Sequence, residues 1–97
     1  MKVVEFIEAV NNGNFHSLWQ VEDEIENCPK EVATGLDPDN HRWYVVSTNV
    51  YECEDGFVGV TGCSMLKSEM MMWEDARVET FASEYEAVQT ITYKPKQ

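Results

Sequence analysis

Positive charge is scarce in this chain. Only 7 Lys and Arg stand against 18 Asp and Glu among 97 residues, which gives a formal net charge of −11. Nucleic-acid binding needs clustered cations that displace counterions from phosphates, and Lys94 and Lys96 are the only close pair of cations. A surface of this sign also repels anionic membranes and attracts basic partners. The composition therefore predicts a basic protein partner, with no direct binding to nucleic acid or to a membrane.

Long apolar segments are missing as well. No run approaches the roughly 20 apolar residues that a membrane-spanning helix needs. Glu5 and Glu8 interrupt the apolar residues near the N-terminus, so this stretch does not fit a secretory signal peptide. Three cysteines are an odd number in a short chain, and they are typical of reduced thiols. We therefore expect a cytoplasmic protein.

The sequence has no motif that combines catalytic groups, metal ligands or cofactor-binding glycines. Gly62-Cys63-Ser64 lacks the second glycine of a nucleophile elbow, and the cysteines and histidines do not have zinc-site spacing. Residues 37–40 (Asp-Pro-Asp-Asn) are similar to the start of a calcium loop. However, Arg42 and Thr48 occupy the positions that need Gly and Glu. We predict a surface turn there, with weak calcium binding as the alternative, and a protein that is not an enzyme and holds no metal or cofactor.

The length and composition fit a single globular domain. With 43% hydrophobic and 11% aromatic residues, the chain is too apolar for intrinsic disorder. A chain of 97 residues is also too short for two independent cores.

The N-terminal third predicts two helices that form a hairpin. Apolar residues recur at helical spacing in the first ten positions: Val3, Phe6, Ile7 and Val10. Asn-Asn-Gly at residues 11–13 then predicts a helix end. A second helix is predicted to begin at Ser17, capped by its hydroxyl and by Gln20, and to end at Pro29. Its apolar stripe is Leu18, Val21, Ile25 and Cys28.

The middle of the chain predicts a β-hairpin. Residues 42–53 and 57–66 are rich in β-branched and aromatic side chains, and Asp55-Gly56 between them is a strong hairpin signal. If Asp55 and Gly56 are the two loop residues, Cys53 faces Val58 across the strands. Both faces of this hairpin are apolar, so we expect it to be central in its sheet and partly covered on each side.

The segments around the hairpin are less distinctive. Residues 30–40 contain Gly and Pro and predict a loop. Residues 73–87 fit either a helix or a strand, and we favour a strand at residues 76–83, followed by another at residues 88–93. The predicted fold is α+β, an N-terminal helical hairpin packed on a four-stranded antiparallel sheet.

Much of the negative charge is local. Residues 20–39 contain one Lys and seven carboxylates, namely Glu22, Asp23, Glu24, Glu26, Glu31, Asp37 and Asp39. A solvated helix face is one explanation. The other is a surface that occupies a basic groove on a partner and copies the phosphate spacing of nucleic acid. An exposed ion pair contributes only about 0.2–1 kcal/mol, so such a surface also needs an apolar anchor.

Three candidate anchors stand out, namely Trp19, Trp73 and Met71. Met71 belongs to a run of three methionines at residues 70–72, which cannot all face inward on one element. We therefore expect at least one of them to be exposed or to lie against a partner. The alternative role for this run is to plug the end of the sheet.

These observations favour a small acidic, non-enzymatic protein-interaction module. Its most specific form is a phage-type inhibitor that blocks a nucleic-acid-binding host protein by charge mimicry. The alternative is a small-ligand-binding domain, or an enzyme assembled in an oligomer, with a pocket between helices and sheet near Trp43, Tyr44 and Tyr51. A self-associating structural protein is a third possibility. The chain is expected to be a monomer or a homodimer.

Overall fold

Two helices cover one face of a four-stranded antiparallel sheet in the computed structural model, which describes residues 1–87 and 95–96. The sheet is a meander, in which each strand pairs with the next strand along the chain. A 3₁₀ helix (Trp73–Ala76) lies between its third and fourth strands. The elements are α1 (Val3–Asn12), α2 (Leu18–Glu24), β1 (Lys30–Asn40), β2 (Tyr44–Cys53), β3 (Gly56–Leu66) and β4 (Phe81–Tyr85). The predicted α+β architecture is confirmed.

The prediction of a loop at residues 30–40 was wrong, because this segment is strand β1. It pairs with β2 from Lys30 opposite Glu52 to Asn40 opposite Val45, with three register shifts on the way. Gly and Pro interrupt β1 without ending it because irregularities are tolerated in an edge strand, which has to pair on one side only.

The predicted strand at residues 76–83 was misplaced. Its first residue, Ala76, ends the 3₁₀ helix, and Arg77 follows with a left-handed backbone (φ 55°). Strand β4 begins only at Phe81, opposite Thr61 of β3. The strand predicted at residues 88–93 lies outside the described residues.

The predicted hairpin is present, but its turn is shifted. The two loop residues are Glu54 and Asp55, so Cys53 faces Gly56 and not Val58. This register differs from the predicted one by two positions. Because side chains alternate with a period of two, residues 46–53 and 57–63 keep the faces assigned to them from the sequence. A register shift between Val45 and Val46 changes the pairing of Met65 and Leu66.

Helix α2 is shorter than predicted and is capped differently. It ends at Glu24, because Ile25 is already extended. Ser17 occupies the N-cap position without a side-chain hydrogen bond. Gln20 instead accepts a hydrogen bond at Oε1 from the backbone N–H of His16 (2.7 Å).

The core lies between the helices and the sheet. The ring of Phe6 packs edge-on against Tyr51, with 5.1 Å between the centroids. The backbone N–H of Val3 donates to Asp55 Oδ1 (2.8 Å), so the start of α1 is fixed to the hairpin turn. The buried core cluster consists of Val3, Phe6, Val10, Phe15, Leu18, Val21, Tyr51, Cys53, Val58, Val60 and Ala82.

The glycines of β3 allow neighbours to approach closely. A Cβ on Gly59 would lie 2.3 Å from the ring of Tyr85, and a Cβ on Gly62 would lie 2.7 Å from Thr80 Oγ1. These contacts fix β4 and the segment before it against the sheet.

Candidate functional site

Two of the predicted anchors contact each other. The rings of Trp19, on α2, and Trp73, in the 3₁₀ helix, pack edge-on with 6.3 Å between their centroids. Trp19 nevertheless remains 50% exposed. Residues far apart in the sequence therefore form one aromatic pair at the surface.

The methionines extend this apolar area. Met70 and Met72 are 92% and 64% exposed, which confirms that the run does not face inward as a whole. Met71 is half-buried and lines a small cavity with Met70 and Trp43. We call this area the tryptophan–methionine surface; it consists of Trp19, Trp43, Met70, Met71, Met72 and Trp73. Exposed apolar area of this kind is typical of a binding surface.

Carboxylates surround the tryptophan pair. Asp23 is one helical turn from Trp19 on α2, and Glu74 and Asp75 follow Trp73 directly. All three carboxylates are exposed. Asp75 Oδ2 also accepts a hydrogen bond from the backbone N–H of Met72 (3.0 Å), which fixes the start of the 3₁₀ helix.

The seven carboxylates of residues 20–39 are not all brought together. Those of α2 (Glu22, Asp23 and Glu24) are exposed, as is Glu26 in the connection that follows, and Glu22 lies beside Tyr51 of β2. Glu31 is opposite Tyr51 and Asp39 is opposite Val46, positions that are roughly 17 Å apart along β2. Asp37 and Asp39 therefore lie at the far end of β1.

Glu22 and Glu31 form a cluster around a buried tyrosine. Tyr51 is fully buried, and its hydroxyl donates to Glu22 Oε1 (3.0 Å). The pKa of the Glu31 carboxyl is raised from 4.5 to about 7. Burial is the largest cause, followed by a hydrogen bond to Glu22 and by repulsion from the charge of Glu22. Burial and the same carboxylates also raise the pKa of Tyr51. Near neutral pH this cluster can take up or release one proton.

The three cysteines are free. Cys28 borders the carboxylate cluster, and burial together with repulsion from Glu22 raises the pKa of its thiol to about 11. Cys53 and Cys63 are buried on opposite faces of the sheet, and burial raises the pKa of both thiols. Thiols held in the protonated form are poor nucleophiles and poor metal ligands. Within residues 1–87 and 95–96, no three metal-ligating side chains of His, Cys, Asp or Glu come together.

The larger cavity lies away from the pocket that was predicted from the sequence. Of the three residues at the predicted pocket, Tyr51 is buried in the core, Tyr44 stacks on His41 with 4.5 Å between the ring centroids, and Trp43 lines the smaller cavity. The larger cavity, of about 560 Å³, lies between the α1–α2 connection and residues 74–81. No sequence motif marked it, because its walls come from two distant segments.

The comparisons with known proteins add no relative. No protein family, no curated protein and no solved structure matches this chain. In the part of the chain that the structure describes, no helix has the length and apolar character needed to cross a bilayer.

Proposed function

We propose that this protein is a non-enzymatic interaction module that binds a basic protein partner. The main support is the contact between Trp19 and Trp73 at an exposed surface that carboxylates surround. Aromatic side chains at the centre of an interface supply most of its binding energy. Carboxylates at the rim speed association with a basic partner and select against acidic ones.

In the most specific form of this proposal, the partner is a nucleic-acid-binding protein and this chain inhibits it, as a phage-type inhibitor does. The carboxylates of α2 would then occupy a groove that otherwise holds phosphates. This form of the proposal also requires that the partner cannot bind this chain and a nucleic acid at the same time.

The test is a pull-down with the tagged chain as bait, at low and at high salt. We expect a basic protein to be retained at low salt and lost at high salt, because salt screens exposed charges over about 10 Å at 0.1 M. Trp19→Ala with Trp73→Ala should abolish retention. Asp23→Asn with Glu24→Gln should weaken it strongly.

Glu5→Gln with Glu8→Gln is the matched control, because it removes two exposed carboxylates from α1. Glu22 is left unchanged in every variant because it accepts the hydrogen bond from the buried Tyr51 hydroxyl. If the α1 and α2 variants retain the partner equally well, the proposed surface is wrong. For the inhibitor form, a DNA or RNA oligonucleotide should displace the chain from its purified partner, and joint binding of both would rule that form out.

A further inference from the structure

The larger cavity has the dimensions of a small-molecule site. Its volume of about 560 Å³ falls within the roughly 300–1,000 Å³ that is typical of such sites. It is lined by Asn11, Asn14, Phe15, His16, Glu74, Arg77, Val78, Glu79, Thr80 and Phe81. It shares no lining residue with the smaller cavity, although Glu74, which lines it, directly follows Trp73 of the tryptophan–methionine surface.

Hydrogen bonds hold the walls of the cavity in place. The side-chain amide of Asn11 binds the backbone of Ala82 in both directions: Oδ1 accepts from the N–H (2.8 Å), and Nδ2 donates to the carbonyl (3.4 Å). The N–H of Thr80 donates to the carbonyl of Phe15 (3.4 Å) and so joins the two walls. A site held in its binding conformation loses little entropy when a ligand binds.

Charges of both signs line the cavity. Arg77 is one of only two arginines in a chain of net charge −11, and Glu74 and Glu79 line the same cavity. Nevertheless, within residues 1–87 and 95–96 none of these three side chains forms an ion pair. A guanidinium binds a carboxylate through two parallel hydrogen bonds, and carboxylates accept hydrogen bonds from an ammonium group. These charges, which have no ion-pair partner within the described residues, are complementary to a ligand that carries both groups.

Two aromatic rings complete the lining. Phe15 is buried against Gly13, where a Cβ would lie 2.4 Å from its ring, whereas Phe81 is 53% exposed. Such rings suit an apolar ligand group. We propose that this cavity binds a free amino acid with an apolar side chain, its carboxylate on Arg77, its ammonium group on Glu74 and Glu79, and its side chain against Phe15 and Phe81.

Calorimetric titration of the full chain with phenylalanine tests this proposal. Phenylpropionate lacks the ammonium group, and phenethylamine lacks the carboxylate. We expect phenylalanine to bind and each analogue to bind about tenfold more weakly or worse, because a charge-assisted hydrogen bond is lost in each case. No binding of phenylalanine at millimolar concentration, or equal binding of either analogue, would overturn the proposal.

Arg77→Asn tests the carboxylate contact. Asparagine tolerates the left-handed backbone at this position, so the change removes the charge without adding backbone strain. We expect phenylalanine to bind about tenfold more weakly to this variant. Arg42→Asn is the matched control, because Arg42 lies over the ring of Trp43 and does not line the cavity. Circular dichroism checks that both variants are folded, and equal affinity of the two variants for phenylalanine would contradict the assignment.

Discussion

At the scale of single residues, contact with the buried Tyr51 changes the role of two carboxylates. Glu22 and Glu31 are both predicted as partner contacts from their charge alone. In the structure, Glu22 accepts the hydrogen bond of the buried Tyr51 hydroxyl, and Glu31 lies beside it. A buried hydroxyl without an acceptor costs about 1–3 kcal/mol, so Glu22 contributes to stability whether or not it meets a partner. The sequence could not show this, because the contact depends on how α2 lies on the sheet.

The Glu31 carboxyl makes the stability of the fold depend on pH. Its pKa is raised from 4.5 to about 7, so the folded state binds the proton more tightly than the unfolded chain does. Its contribution to stability is complete below 4.5 and is lost as the pH rises through about 7. Glu31→Gln cannot ionise. We therefore expect this variant to be more stable than the wild type at about pH 8. Its free energy of unfolding should also fall less than that of the wild type as the pH rises from 4.5 to about 7.

Urea unfolding at a series of pH values measures this difference. Glu69→Gln removes one charge from an exposed position and controls for the change in net charge. If Glu31→Gln and Glu69→Gln change the free energy of unfolding equally at every pH, Glu31 is not the titrating group.

At the scale of elements, β1 is a strand that local sequence signals wrongly predict to be a loop. Gly35 and Asp37 have left-handed backbones (φ 66° and 46°), and Pro38 follows, so the local sequence is that of a turn. Nevertheless the segment pairs with β2 from Lys30 to Asn40, with three register shifts. A proline, a charge and a bulge are also the devices by which an edge strand avoids pairing with another chain. Within the described part of the sheet, β1 is an outer strand.

Pro38→Val with Asp39→Val should make this edge capable of pairing. We expect the apparent size of the variant in size-exclusion chromatography to increase with concentration, whereas that of the wild type stays constant. Asp39→Asn alone separates the loss of charge from the gain of β-propensity. A double variant that behaves like the wild type would show that the bulges are sufficient protection.

Elements whose residues follow a clear local pattern were predicted correctly from the sequence. The helical spacing of Val3, Phe6 and Val10 predicted α1, and the β-branched and aromatic residues predicted the β2–β3 hairpin together with its two faces. The contact between Trp19 and Trp73 was not predictable, because nothing in either segment specifies the other. The larger cavity was missed for the same reason.

At the scale of the whole molecule, negative charge is poorly compensated. Within residues 1–87 and 95–96, the Met1 N-terminus pairs with Glu54 (3.6 Å), His41 Nε2 forms a hydrogen bond with Asp39 Oδ2 (3.1 Å), and no Lys or Arg forms an ion pair. The carboxylates occur in both helices and along the sheet. Folding brings these charges closer together than they are in the unfolded chain, so repulsion destabilises the folded state.

We therefore expect added sodium chloride to raise the melting temperature. The screening length falls from about 30 Å at 0.01 M salt to about 3 Å at 1 M. For a domain of this size, relief of about 1 kcal/mol of repulsion raises the melting temperature by about 4–8 °C. The measurement is a thermal melt followed by circular dichroism across this range of salt concentrations.

A charge-reduced variant separates screening from other effects of salt. Glu5→Gln, Glu8→Gln and Glu84→Gln remove three exposed carboxylates from α1 and β4. Salt also strengthens hydrophobic burial, and that effect acts on both proteins alike. Only relief of repulsion depends on the number of charges. The rise in melting temperature with added salt should therefore be smaller for the variant than for the wild type. Equal rises in the two proteins would mean that the carboxylates are too far apart to repel one another.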